Sequence, residues 1–117
     1  MYKTSLRAQR VANNIHKQLA KLFRHDVTDP RLFHVQISYV DVSADLRNAK
    51  VFFCLPDGVK LTDDIMPALS KASHFLRKKL ASALVLRVTP KINFEFDSAL
   101  DNAYHLSALI RSVKSPD

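Results

Sequence analysis

The N-terminal helix constrains the fold of this chain most. Between Thr4 and about Arg24 the apolar residues recur every three or four positions, which is the period of an amphipathic α-helix. At about 100° per residue, the basic residues of this stretch fall opposite the apolar stripe. They are Lys3, Arg7, Arg10, Lys17, Lys21 and Arg24. The chain must therefore bury one face of this helix and leave a cationic face in solvent.

The rest of the chain alternates between strand and helix periods. FHVQISYVDV and NAKVFFCLP are predicted to form two strands of an antiparallel hairpin, joined by the turn-forming SADLRN. A phase shift at Val40 indicates either a β-bulge or a strand buried on both faces. A helical stripe runs from Ile65 to Leu84, and LRVTPKINFEFD follows as a strand that Pro90 places at an edge or a bulge. Ser98 opens a final helix.

The helical stripe from Ile65 to Leu84 has a weak centre. Ser73 is an internal N-cap candidate, because its hydroxyl competes for backbone groups, and it could divide the stripe into two helices. The predicted order is then α-β-β-α-α-β-α, an α+β fold with a three-stranded mixed sheet and helices packed on one face. The 117 residues fit one domain, with a core at about 4–112, and we expect a monomer.

Charge is segregated along the chain. The net charge is +7, and 12 of the 18 Lys and Arg residues lie in two stretches without acids, 1–25 and 65–94. A surface tuned only for solubility usually intersperses both signs, whereas one sign alone attracts a polyanion. The sequence therefore predicts a nucleic-acid interface. Its candidate residues are Lys3, Arg7, Arg10, Lys17, Lys21, Lys71, Arg77, Lys78, Lys79 and Arg87.

Other kinds of chemistry find little support. A single glycine excludes Gly-rich phosphate loops, and a single cysteine, Cys54, excludes an internal disulfide. No HExxH or i, i+4 histidine pair predicts a metal site, so we expect no metal, no cofactor and no enzymatic activity. The longest apolar run, 51–55, is too short to cross a bilayer, which predicts a cytoplasmic protein without a membrane partner.

Five motifs in order resemble the ribosome-binding factor A family over about residues 6–110. The first is the helix with Arg7, Arg10, Val11, Ile15 and Leu19, and the second is Asp29, Pro30 and Arg31. VDVSADLRNAKVFF comes third, and Phe75, Leu76 and Arg77 form the fourth. The fifth is LRVTPKINFEFD, with Leu86, Arg87, Pro90, Phe94 and Asp97.

The resemblance implies a KH-like domain of the second topological type, in which an Ala-x-Gly kink between two helices replaces the usual GxxG loop. Ala72, Ser73 and His74 fall at the kink, with His74 in place of the family's glycine. The resemblance further implies a non-catalytic factor that binds the free small (30S) ribosomal subunit, supports late maturation and 16S rRNA processing, and matters in the cold.

Two other interpretations remain open from the residues themselves. The chain could be a general basic nucleic-acid-binding module that also accepts duplex DNA. It could instead be a protein-interaction adaptor that docks ribosomal proteins or an assembly GTPase.

Overall fold

Two α-helices, a short 3₁₀ helix and a three-stranded sheet make up the described part of the fold. The computed structural model describes residues 5–84, 86 and 88–97. Its elements, in chain order, are α1 (Leu6–His25), a short 3₁₀ helix (Pro30–Leu32), β1 (Gln36–Val42), β2 (Asn48–Cys54), α2 (Ile65–Ala83) and β3 (Lys91–Phe96). The sheet order is β1-β2-β3, with β1 antiparallel and β3 parallel to β2. The prediction of an α+β fold with a mixed three-stranded sheet is confirmed.

Both helices pack on the same face of the sheet. Ala49, Val51 and Phe53 alternate with less buried residues along β2, so one side of the central strand is apolar. Ala49 and Val51 share one core cluster with Ile15 of α1 and Leu76 of α2. α1 contacts β1, α2 contacts β3, and the two helices contact each other. The opposite sides of both helices therefore point away from the sheet.

Local hydrogen bonds fix where α1 begins and ends. The Ser5 hydroxyl accepts a hydrogen bond from the Ala8 N–H at 3.0 Å, which satisfies one of the free donors of the first turn. The chain leaves the helix at Asp26, whose N–H still donates to the Leu22 carbonyl at 2.8 Å. The helix is thus close to the predicted span of Thr4 to about Arg24.

The phase shift in the first strand is a β-bulge. Ile37 pairs with Phe53 and Tyr39 pairs with Phe52, so Ser38 is the extra residue. Its hydroxyl lies 3.1 Å from the Phe52 carbonyl oxygen and 3.1 Å from a carboxylate oxygen of Asp97. The bulge lets residues on both sides of Ser38 contribute to the apolar face.

His16 ties α1 to the free edge of the sheet. Its Nε2 lies 3.0 Å from the Ile37 carbonyl oxygen. A carbonyl oxygen only accepts hydrogen bonds, so Nε2 carries the hydrogen and donates it. This contact satisfies one backbone group of the edge strand β1 and sets the position of α1 over the sheet.

The structure corrects the predicted division of the helical stripe from Ile65 to Leu84. α2 is one α-helix of 19 residues, so the separation into two helices at Ser73 is wrong. The Ser73 hydroxyl donates to the Ser70 carbonyl within the helix at 2.7 Å instead of capping a new one. Such back-bonding satisfies the hydroxyl without breaking the backbone ladder.

The third strand is shorter than predicted. β3 begins at Lys91, whose N–H donates to the Arg47 carbonyl at 2.8 Å. The preceding Pro90 has no N–H, so it cannot donate a ladder hydrogen bond and extend the strand backwards. The alternation of this segment predicts that Val88 points inward, but Val88 is 56% exposed. β3 does lie at a sheet edge, as Pro90 predicts. The predicted helix beginning at Ser98 lies outside the described residues.

Candidate nucleic-acid interface

The solvent side of α1 carries only positive formal charge. Its five Lys and Arg residues are all exposed, and the helix contains no acid. Within the described residues none of the five makes an ion pair. They are Arg7, Arg10, Lys17, Lys21 and Arg24. The buried stripe of Ala8, Val11, Ala12, Ile15 and Leu19 is on the other side of the helix.

α2 runs antiparallel to α1 and adds lysines to the same surface. Lys17 borders a groove with Ala83 and Leu84 at the end of α2. Further along α1, the Lys79 Nζ lies 3.5 Å from a carboxylate oxygen of Asp26. Since both helices lie on one face of the sheet, their exposed sides form one surface. We call this surface the cationic helix face: Arg7, Arg10, Lys17, Lys21 and Arg24 of α1 with Lys71, Lys78 and Lys79 of α2.

Arg77 is not brought together with the other predicted cations. It lies about 200° around α2 from Lys79, so it points to the flank away from α1. There its guanidinium donates to the Thr89 carbonyl at 2.9 Å, which fastens the loop between α2 and β3. Lys3 and Arg87, the two remaining candidates, lie outside the described residues.

Acids lie near both ends of α1. At its start, Asp45 lines a groove with Arg7. The acids at its other end are Asp26 and Asp29. Asp26 ends α1 and contacts Lys79. Asp29 caps the 3₁₀ helix and accepts from the Arg31 guanidinium, with a shortest distance of 2.7 Å. That side-chain hydrogen bond, with a second from the Arg31 backbone N–H, holds the pKa of Asp29 below its usual value, and Lys71 adds a smaller electrostatic contribution. The main partner of Asp29 is therefore Arg31, and Lys71 makes no ion pair with the described residues.

The other side of the sheet has a different character. We define the outer sheet face as the side of the sheet that points away from the helices, including Tyr39, Lys50, Phe52, Asn93 and Glu95. The Lys50 Nζ lies 3.8 Å from a Glu95 carboxylate oxygen, and the rings of Tyr39 and Phe52 are 5.9 Å apart. Charges of both signs therefore alternate here and partly pair.

Two residues of the surface were missing from the predicted site. Arg24 lies on the same exposed side as Lys17, and the helical projection of the sequence was sufficient to include it. Phe75 is a large exposed side chain among the lysines of α2. Only its position three or four residues from Lys71, Lys78 and Lys79 signals a role, because an aromatic residue at helical spacing is usually part of a core.

The predicted kink residues lie within the unbroken α2. Ala72 packs against both core clusters, Ser73 donates to Ser70, and His74 is exposed. His74 has the helical conformation of its neighbours, so the left-handed region is not needed at this position. A bend of the helix axis at these three residues stays a prediction.

Few other kinds of site arise in the described part of the chain. Across residues 5–84, 86 and 88–97, no three His, Cys, Asp or Glu side chains converge in a way that could hold a metal ion. No helix in these ranges combines the length and apolar character needed to span a bilayer. The clearest chemical feature of the described surface is the cationic helix face.

Comparison with known proteins identifies relatives whose similarity covers nearly the whole chain. The family model for ribosome-binding factor A matches residues 7–110. A ribosome-binding factor A from Coxiella burnetii (strain Dugway 5J108-111) is 42% identical over 114 residues, covering 97% of this chain and 95% of the relative. The Pseudomonas entomophila protein of the same name is 40% identical over 119 residues, covering 100% of this chain and 90% of that protein.

Solved structures give the same result for the fold. The crystal structure of ribosome-binding factor A from Thermus thermophilus superposes with a TM-score of 0.68 at 24% identity, covering 76% of this chain and 93% of that one. A homology model of the Thermus thermophilus protein, fitted into a cryo-EM map of a complex with the 30S subunit, gives a TM-score of 0.62 at 25% identity. That match covers 74% of this chain and 91% of the fitted protein.

Proposed function

This chain belongs to the ribosome-binding factor A family, and we propose that it binds the free 30S ribosomal subunit through the cationic helix face. The Thermus thermophilus relative has been placed in a complex with that subunit, which supports the choice of partner. The interface is our own assignment. Its partner groups are the phosphates of 16S rRNA, because a surface of separated amines and guanidiniums with few carboxylates suits a polyanion.

One observation carries this proposal. The exposed sides of two antiparallel helices join into a surface on which α1 has no acid and, among the described residues, only Lys79 makes an ion pair. Solvated helices usually offset their cations with acids three or four residues away. Leaving like charges together raises their mutual repulsion, which a phosphate backbone relieves on binding. RNA shape, rather than base edges, then sets the main contacts.

We take the more specific cellular role of this protein from the ribosome-binding factor A family. We propose that the protein is a non-catalytic assembly factor in the cytoplasm, active in late 30S maturation and 16S rRNA processing, with a role in cold adaptation. We also propose a KH-like domain of the second topological type, in which the single helix α2 occupies the place of the two helices that flank the kink. The domain acts as a monomer, and ribosomal proteins or an assembly GTPase are further candidate partners.

Sedimentation with purified 30S subunits at increasing salt tests the proposal. If about five phosphates are contacted, the logarithm of affinity falls with log salt at a slope of about −3.5 to −4.5. A slope near zero would contradict a phosphate interface. Mature 50S subunits serve as the control for general attraction to RNA, and they are expected to bind more weakly at every salt concentration.

The two alternatives give different results in the same assay. A general nucleic-acid module would be displaced from 30S subunits equally well by duplex DNA and by structured RNA of the same charge. A protein-interaction adaptor would stay attached to its target after nuclease digestion of the subunit. The 30S proposal requires that duplex DNA competes poorly and that digestion releases the protein.

A further inference from the structure

Phe75 is a partly exposed aromatic residue outside the two described core clusters. It lies on the solvent side of α2 with 40% of its surface exposed. Neither of the two core clusters, as built from the described residues, includes it. Exposing part of a phenyl ring to water is unfavourable, and a polar residue at this helical position would avoid that cost. The exposed part of the ring is therefore accessible to a ligand of the cationic helix face.

Lysines surround this ring on the helix surface. Lys71 precedes Phe75 by four residues, and Lys78 and Lys79 follow it by three and four, so all three are its neighbours on one side of α2. The Lys79 Nζ lies 5.6 Å from the ring centroid and 3.5 Å from Asp26. Lys71 and Lys78 make no ion pair with the described residues. A flat apolar surface is thus bordered by free amines.

We propose that Phe75 stacks on an unpaired base of the bound RNA while Lys71 and Lys78 bind the phosphates on either side of that nucleotide. A nucleotide combines a flat aromatic base with an anionic phosphate a few ångströms away, which matches the ring and its two amines. Stacking of a base on an aromatic side chain changes affinity roughly fivefold to 100-fold. The inference rests on the proposed function and narrows its ligand class.

The ligand class follows from the accessibility of bases. In a continuous A-form duplex both faces of every base are covered by neighbouring bases, so a side chain on a helix surface cannot stack on them. Bulges, loops and strand ends offer an uncovered base. The cationic helix face is therefore built for a junction between a helical segment, whose phosphates it contacts, and at least one unstacked nucleotide held at Phe75.

Phe33 provides a matched comparison on the same molecule. It is more exposed than Phe75, at 64%, and it lines a groove with Arg24. Its neighbour Arg31 is held by Asp29, and no lysine lies within four residues of it along the chain. Replacing either ring by leucine makes the same chemical change, but only Phe75 has amines on both sides.

Binding of two RNA hairpins tests the inference. One hairpin carries a single-nucleotide bulge, and the other has the same stem fully paired; anisotropy measurements at several salt concentrations give affinity and salt slope. Wild-type protein is expected to prefer the bulged hairpin. Phe75→Leu should lose roughly fivefold to 100-fold on the bulged hairpin and on 30S subunits, with an unchanged salt slope and no loss on the paired hairpin. Phe75→Trp should retain the preference, and Phe33→Leu should behave as wild type.

Several outcomes would overturn the inference. A wild-type protein without preference for the bulge refutes it independently of any variant, and so does Phe75→Leu with wild-type affinity. Equal loss on both hairpins would assign Phe75 to positioning of α2 rather than to stacking. Removal of lysines from the cationic helix face tests the proposed function separately: if that removal weakens 30S binding while Phe75→Leu does not, only the stacking inference fails.

Discussion

The cationic helix face and the outer sheet face distribute their charges in different ways. On the cationic helix face, α1 presents five basic side chains and no acid. On the outer sheet face, Lys50 pairs with Glu95, and the Ser38 hydroxyl lies 3.1 Å from the Asp97 carboxylate. Both faces are exposed to water, so solubility alone does not explain the difference. Charged groups of the outer sheet face find partners within the protein, whereas most cations of the cationic helix face are left to bind an external anion.

The largest expected effect is on 30S affinity, when three positive charges are removed either from the cationic helix face or from elsewhere on the protein. The triple variant Arg10→Ala, Lys17→Ala, Lys78→Ala should weaken 30S binding roughly 100-fold at about 0.15 M salt, because each lost phosphate contact removes about fourfold to fivefold in affinity. Lys50→Ala, Lys60→Ala, Lys91→Ala removes the same net charge elsewhere and should have little effect. Sedimentation measures both. Equal losses would mean that net charge, rather than the cationic helix face, drives binding.

The start of α1 should matter for stability more than for binding. Ser5→Ala removes the acceptor for the Ala8 N–H and should lower the free energy of unfolding by about 1 kcal/mol. Ser5→Asp keeps an acceptor and is expected to stay close to wild type. Urea unfolding gives the stability of each variant. If Ser5→Ala also lost 30S affinity while fully folded, the N-terminal turn itself would belong to the interface.

Breaking the ion pair of the outer sheet face should have a smaller effect. Glu95→Gln should lower the free energy of unfolding by less than about 1 kcal/mol, because both side chains are partly exposed and 3.8 Å apart. The difference from wild type should shrink further in high salt, where the pair is screened. Thermal unfolding at low and high salt measures it. A large loss that salt does not reduce would show that Glu95 acts through packing instead.

The smallest expected effect is on the stability of the protein at acidic pH, and it comes from Asp45. The Ser43 hydroxyl donates to the Asp45 carboxylate at 2.6 Å and the Arg47 N–H donates at 3.0 Å, which lowers the pKa of Asp45 from its ordinary 3.8. Because the pKa of Asp45 is lower in the folded state, its carboxylate stabilises the folded protein at pH values above the ordinary pKa. This stabilisation is lost as the pH falls through the pKa of the folded state. Asp45→Asn should therefore flatten the dependence of stability on pH below about 4. Unfolding curves at several acidic pH values test this, and an unchanged dependence would contradict it.

Periodicity was sufficient to predict the apolar sides of α1 and β2. The three and four spacing of α1 and the alternation of Ala49, Val51 and Phe53 determine which sides are apolar, and burial of apolar surface then brings those sides together. The bulge at Ser38 was one of two interpretations of the phase shift, since an extra residue reverses the sides of a strand. These signals are local, so they are readable from the chain alone.

Element boundaries depended on longer-range contacts. Ser73 is a plausible cap in isolation, yet α2 continues through it because Leu69, Leu76 and Leu80 are all fully buried along one side of the helix. Tertiary packing outweighs the weak local preference of one serine. Val88 keeps the alternation of a strand, but the ladder starts only at Lys91, where a partner carbonyl on Arg47 becomes available.

The sequence by itself determined that this protein would have a cationic side, because acids are absent from two long stretches and helical spacing directs the basic residues away from the core. Only the tertiary structure decided which cations meet. Antiparallel packing of α1 and α2 placed Lys79 against Asp26 and joined Lys71 and Lys78 to the surface of α1, while Arg77 was turned to Thr89. The physical reason is that periodicity fixes a direction around one helix axis, whereas adjacency between two helices is set by the shape of the shared core.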